Sequence, residues 1–362
     1  MKFFNIDLHV SVIADIRTIF ESMGHQVDDW TLSGHAHIFG RSRDKIDVIN
    51  HVNWKNLDQK MCDDFYDRYK DELSEYDGFI CTYAPSFCLL YEKFQKPIIT
   101  IAPIRYEAPF WNDKKKWKWY NDYLKNGIEN KLIIPVVNNK VDKRYCEMYT
   151  EKEWHHIPSL CEYTNAPYSP KPEKEVFLYS SFFNFQNLYQ DDKIVPKNQV
   201  LKANYKWQDL SEYSGIIHIP YCPSTMSIFE QYTSSIPLFF PSFDFILSLR
   251  EKFGSHGILN QLSWRETHNL PPSNIFNPVK ASLIKNLNDY GNIDNEKEWI
   301  GLSDFYDEEW MPHIQHFNSF PELSSMLRNV NLTEISDAMK RQNIIRKELV
   351  YKKWDTILKN LV

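Results

Sequence analysis

Apolar residues along the first hundred positions switch between two periods. Lys2–Ile6 is a short apolar run, and from Val10 to Met23 apolar residues recur at 12, 13, 16, 19, 20 and 23, a helical spacing that Gly24 stops. Gln26–Leu32 reads as a second strand. Met61, Phe65, Tyr69 and Leu73 place a helix within 55–75, and Gly78–Tyr83, Ser86–Phe94 and Pro97–Ile101 follow as strand, helix and strand. The alternation restarts at Val176–Ser180, with Gly215–Ile219 and Ile236–Phe240 as further strands and Ser224–Tyr232 as a helix. Strands separated by helices need crossover connections, which predicts parallel, doubly wound sheets. Between the two series, 156–175 holds Pro158, Pro167, Pro170 and Pro172 with little periodicity, as an interdomain hinge does. A helical segment from about Thr333 to Leu361 closes the pattern.

Composition narrows the chemistry. With 48 acidic against 42 basic residues, the 362-residue chain carries a formal charge of −6, which argues against a nucleic-acid-coating protein. Glycine is scarce, at 10 residues, and neither G-x-G-x-x-G nor G-x-x-x-x-G-K-[ST] occurs. Any phosphate site must therefore be made without a glycine-rich loop. No apolar stretch approaches the length of a membrane span and no signal-peptide pattern opens the chain, so a cytoplasmic protein is expected. None of the six cysteines forms a C-x-x-C pair.

The most informative stretch runs from Gly215 through His218, Pro220, Pro223, Ser224, Thr225, Met226, Ser227 and Glu230 to Pro237. A buried strand ends at Pro220, a tight turn follows, and Ser224 or Thr225 caps a new helix. The N-terminus of such a helix binds phosphate through its N–H groups and dipole. Glu230, about one and a half turns in, could reach a ribose hydroxyl. Equally, the stretch could be a capped crossover helix with a solvated glutamate.

This arrangement resembles the donor-binding half of the GT-B glycosyltransferases. There a strand and turn lead to a phosphate-binding helix, its Glu binds the nucleotide ribose, and a Pro seven residues later opens the next strand. Glu230 and Pro237 have that spacing, and Ser224-Thr225 resemble the pair of the N-S-T-x-E variants. Asn204–Leu210 is similar to the family's base-binding loop. Two departures stand out: the position eight before Glu230 is Cys222 instead of a second Glu, which weakens a retaining mechanism, and no Arg or Lys clamp follows Val176–Ser181.

The resemblance implies two Rossmann-like doubly wound domains facing across a cleft: an acceptor-side domain over 1–165, a donor domain over 173–332, and a helix over 333–362 packing back on the first. It implies transfer of a hexose or pentose from a nucleotide-diphosphate sugar to a glycan or glycoconjugate, inverting and needing no metal or other cofactor. Ser180, Ser181, Tyr205, Lys206, Trp207, Ser224, Thr225, Met226, Ser227 and Glu230 would hold the donor.

For the base, the loop after the first strand offers Asp7 and His9, where ligands meet an open α/β sheet. His9 has a suitable pKa, and Asp7 could orient it or act itself. A His base would give an acid limb near pH 6–7, a carboxylate one nearer 4–5. Alternatively, Asp7 caps the following helix and His9 packs beneath it. His35, Arg105 and Glu107 are acceptor-binding candidates. His35 and His37 form an H-x-H pair without a third ligand, so no metal site is expected. His155–His156, His313 and His316 read as surface residues. Lys114–Tyr120 is a basic, aromatic cluster that could touch a membrane surface peripherally, although a solvated lysine face with tryptophan inward accounts for it equally simply. Two other functions fit the same layout: a nucleotide-sugar epimerase and a non-catalytic glycan-binding protein.

Overall fold

The structure, a computed structural model, describes residues 1–361 except 104–105, 111–112, 181–182, 184–188, 203, 255–256 and 260–292. The chain divides into two compact units. One comprises Met1–Ser159 together with the segment that begins at Lys353; the other comprises two segments, Leu160–Leu262 and Glu296–Lys352.

The first unit is built on β1 (Lys2–Asp7), β2 (Gln26–Thr31), β3 (Gly78–Cys81), β4 (Ile98–Ala102), β5 (Ile133–Val137) and β6 (His155–His156), with helices α1 (Val10–Ser22), α2 (Gln59–Leu73), α3 (Lys114–Glu129) and α4 (Lys140–Thr150). Its sheet is parallel in the order β2-β1-β3-β4-β5-β6. The second unit has β7 (Phe177–Ser180), β8 (Ile194–Pro196), β9 (Gly215–His218), β10 (Leu238–Pro241) and β11 (Gln315–Phe317). Its described helices are α5 (Lys197–Val200), α6 (Trp207–Ser211), α7 (Met226–Thr233), α8 (Phe243–Phe253), α9 (Ile293–Ile300, which begins before the unit's second segment) and α10 (Phe320–Asn329). A 28-residue helix, α11 (Leu332–Lys359), ends the series.

Read from β8, the second sheet runs β8-β7-β9-β10-β11, all parallel, the same winding as the first. The likeness extends to single residues. Gly78 pairs with Phe3 and Gly215 with Phe177. A Cβ on Gly78 would lie 2.9 Å from the Pro97 carbonyl oxygen and 3.1 Å from the Phe3 ring; on Gly215, 2.8 Å from Pro237 O and 3.1 Å from Phe177. Both inner strands thus start at a glycine because backbone and ring leave no room for a side chain.

The pattern gave no element to 102–155, where α3, β5, α4 and the start of β6 lie. Helix α3 buries Trp117, Tyr120 and Leu124, and Lys114–Lys116 and Lys118 flank the first of these, so its apolar stripe starts inside a basic run and is carried mainly by aromatics. Trp117 and Tyr120 are fully buried and pack edge-on and tilted against Tyr106, at 4.9 and 5.6 Å. Lys116 Nζ donates to the carbonyls of Asn56 (3.2 Å) and Leu57 (2.9 Å). The rings of Lys114–Tyr120 that are buried serve the core, and the lysines form a solvated face. No helix of the described residues is long and apolar enough to cross a membrane.

The proline-rich stretch is laid along the second unit instead of running free. Tyr168 N donates to Ser234 O (2.8 Å), Ser169 N to Ser211 O (3.0 Å) and Lys171 N to Glu212 O (2.9 Å). Proline removes some donors from such a segment, and the residues between the prolines supply the rest. His316 is also not a surface residue: it sits on β11, and its Nε2 meets Phe305 O at 2.8 Å. All six cysteines are buried thiols.

Candidate functional site

In a doubly wound sheet the strand order reverses at one point, and the connections leaving the two strands there diverge and open a crevice at their carboxyl ends. In the second unit that point lies between β7 and β9. A cavity of about 620 Å³ opens there, lined from β7 by Tyr179 and Ser180, from β9 by His218, and from α7 and its approach by Tyr221, Thr225 and Ser227. Lys197, Asn198 and Gln199 line it from α5, which follows β8. Among the described residues that line it there is one cation and no carboxylate, a composition suited to an anionic ligand.

Helix α7 meets this cavity with its N-terminus. Thr225, not Ser224, occupies the N-cap position, and it makes no side-chain cap hydrogen bond. Its hydroxyl pairs with Ser227 Oγ instead, at 2.9 Å. By contrast Asp58, Asp113, Asn139, Ser242 and Ser319 cap α2, α3, α4, α8 and α10 through their side chains. In the helix aimed at the cavity the cap side chain turns aside to Ser227.

The remaining donor candidates fall into three places. Ser180, Thr225 and Ser227 line the cavity. Tyr205 is not among the lining residues but accepts a hydrogen bond from the lining Lys197 Nζ at 3.1 Å. Glu230 and Trp207 lie beyond the wall and are linked through Tyr163, whose hydroxyl donates to Glu230 Oε1 at 2.5 Å and whose ring stands edge-on to Trp207 at 5.4 Å. Ser224 and Met226 are buried and do not line the cavity, and Lys206 is exposed at the start of α6. Ser181 lies outside the described residues. Sequence reasoning missed Lys197, the cation it found lacking after β7, because the lysine comes from α5, which follows the next strand. It missed Tyr163 because the proline-rich stretch was read as a connection.

The corresponding switch point of the first unit lies between β1 and β3. Asp7, the last residue of β1, is fully buried, and neither of its oxygens closes a hydrogen bond of good geometry. Burial pushes its carboxyl up to about 6; the Thr31 hydroxyl, Arg41, the His9 amide and Arg17 oppose that rise without cancelling it. His9 takes the N-cap position of α1, again without a side-chain cap bond, and its ring lies 6.0 Å from that of Tyr83, just past β3. Asp7 therefore does not cap α1. Glu107 is fully buried in a turn that includes the cis Ala108–Pro109 peptide. His35 is exposed on a turn, its ring 6.1 Å from His37. Arg105 lies outside the described residues. Among the described residues, no group of three or more His, Cys, Asp or Glu converges as a metal site.

No family model and no curated protein matches the chain. Among solved structures it is similar to the glycosyltransferase of kitacinnamycin (11% identity, 100% of this chain and 98% of that one, TM-score 0.44). It is also similar to the glycosyltransferase SnogD from Streptomyces nogalater (8% identity, 100% and 99% covered, TM-score 0.46). A third likeness is to the spinosyn rhamnosyltransferase SpnG in complex with thymidine diphosphate (9% identity, 97% and 99% covered, TM-score 0.39).

Proposed function

We propose that the chain is a GT-B-type glycosyltransferase that binds a nucleotide-diphosphate sugar in its second unit and transfers the sugar, with inversion, to a glycan or glycoconjugate hydroxyl. The observation that carries this reading is the cavity at the β7–β9 switch point, which joins a helix N-terminus, two hydroxyls and a lysine, with no carboxylate among the described lining residues. Lys197, Thr225, Ser227 and the α7 dipole would take the diphosphate, so that departure of the nucleotide needs no metal. Tyr205, Trp207 and Tyr163 offer aromatic faces to the base, and Glu230 a carboxylate to the ribose. In the first unit, Asp7 with a pKa of about 6 is a base poised near neutrality to take the acceptor's proton.

Calorimetric titration with UDP, TDP, GDP, ADP and CDP tests the reading. At least one should bind, and Lys197→Ala should weaken it about 10- to 100-fold, the worth of a charge-assisted hydrogen bond. Absence of binding by all five would overturn the proposal. Release of the nucleoside diphosphate from its hexose or pentose conjugate only when an acceptor is present separates a transferase from an epimerase, which would alter the donor alone.

A further inference from the structure

His218 ends β9 inside the cavity wall and is only 7% exposed. Its ring is held on two sides. It stacks on Phe240 at 4.8 Å and 14°, and Phe240 in turn stacks on Phe305 at 4.6 Å and 9°. Its Nε2 lies 2.7 Å from Gln231 Oε1, on the inner face of α7. With that oxygen as acceptor, Nε2 carries the proton and Nδ1 a lone pair. Nδ1 has no hydrogen-bond partner among the described residues. Burial holds the imidazole neutral down to about pH 4.

We propose that His218 is a specificity-determining residue of the cavity: its Nδ1 accepts a hydrogen bond from a hydroxyl of the bound ligand, so that this wall reads the sugar of a nucleotide sugar while Lys197 and the α7 end hold the diphosphate. The inference rests on the proposed donor site and adds a division of labour within it. A neutral acceptor offers nothing to a phosphate oxygen, which has no proton to give at pH 7, but it suits a sugar hydroxyl. Fixed by stacking and by Gln231, the ring has little rotamer freedom left to lose on binding.

The test compares His218→Phe, which keeps the ring volume against Phe240 but removes both nitrogens, with His218→Asn, whose amide oxygen can stand near the place of Nδ1. Affinities for UDP, TDP, GDP and ADP, and for UDP-glucose, TDP-glucose, GDP-mannose and ADP-glucose, are measured on each protein after its melting temperature is checked. In His218→Phe the free nucleoside diphosphate should bind within about twofold of wild type, and its sugar conjugate about tenfold more weakly, the order expected for one lost hydrogen bond. His218→Asn should recover part of the difference, and this variant decides the matter should the phenylalanine protein not fold. Equal losses for the diphosphate and its conjugate, or no loss in either variant, would overturn the assignment while leaving the donor site standing. A wild-type protein that binds none of the eight would overturn both.

Discussion

Asp7 costs the fold stability in its ionised form. Well below pH 3.8 it is protonated in both the folded and the unfolded chain, and the folded state bears no charge burial. As pH rises the unfolded chain ionises first, near 3.8, while the folded chain keeps its proton to about 6. Stability present below pH 4 is therefore lost through that window, up to about 3 kcal/mol. Asp7→Asn should accordingly unfold at higher denaturant than wild type at pH 7.5 and at about the same concentration at pH 4. If Asp7 is also the base, the same variant should lose about 10²–10⁴-fold in turnover. Higher stability with full activity would place the base elsewhere. Burial changes the kinetic diagnosis as well. A carboxylate at about 6 gives an acid limb in the range expected of histidine, so disappearance of the limb in Asp7→Asn, not its position, identifies the group.

At the level of elements, α7 shows a cap given up where a ligand would sit. Thr225→Asp should supply the missing cap and add a charge favourable to the dipole, stabilising the protein by about 0.5–1 kcal/mol. The same carboxylate would oppose a phosphate, and nucleoside diphosphate affinity should fall about tenfold or more. A raised melting temperature with unchanged affinity would show that the N-terminus of α7 takes no anion. This trade, like that at Asp7, was only partly legible in the sequence. The turn, the helix and their hydroxyls could be read from Pro220 to Glu230 because turn chemistry and apolar period are local. That the cap would turn toward Ser227, and that Lys197 and Tyr163 would come to this end of the sheet, depends on pairing between distant segments. Strands β1, β3, β4, β7, β9 and β10 were visible as apolar runs bounded by turn residues. Strand β5 was not, since Pro135 sits within it, and β8 and β11 are only three residues long. Helix α3 was hidden by the lysine run around its first buried ring, Trp117.

Across the whole molecule, α11 serves both units. Asn343 Nδ2 donates to the carbonyls of Tyr232 (3.0 Å) and Thr233 (3.1 Å) and to Ser235 Oγ (3.1 Å), all in the second unit. Arg346, fully buried, lies over the rings of Tyr232 and Trp310 at 4.7 and 5.1 Å. Two turns further on, Trp354 is buried against Phe20 of α1 at 5.0 Å, in the first unit. Trp354→Ala should cost about 3–5 kcal/mol. Hydrogen exchange should show protection falling first in Met1–Ser159, with the second unit following less. Wild-type protection throughout would mean that the first unit's core closes without the helix.

That shared helix also sets a timetable. Phe20 is made before Ser159, the point at which the first unit's main segment is complete, but the tryptophan that covers it emerges about 195 residues after Ser159. At about 5–20 residues per second this is a wait of roughly 10–40 s. Throughout that interval the nascent unit carries an uncovered apolar patch on α1, open to chaperones or to neighbouring chains on the same messenger.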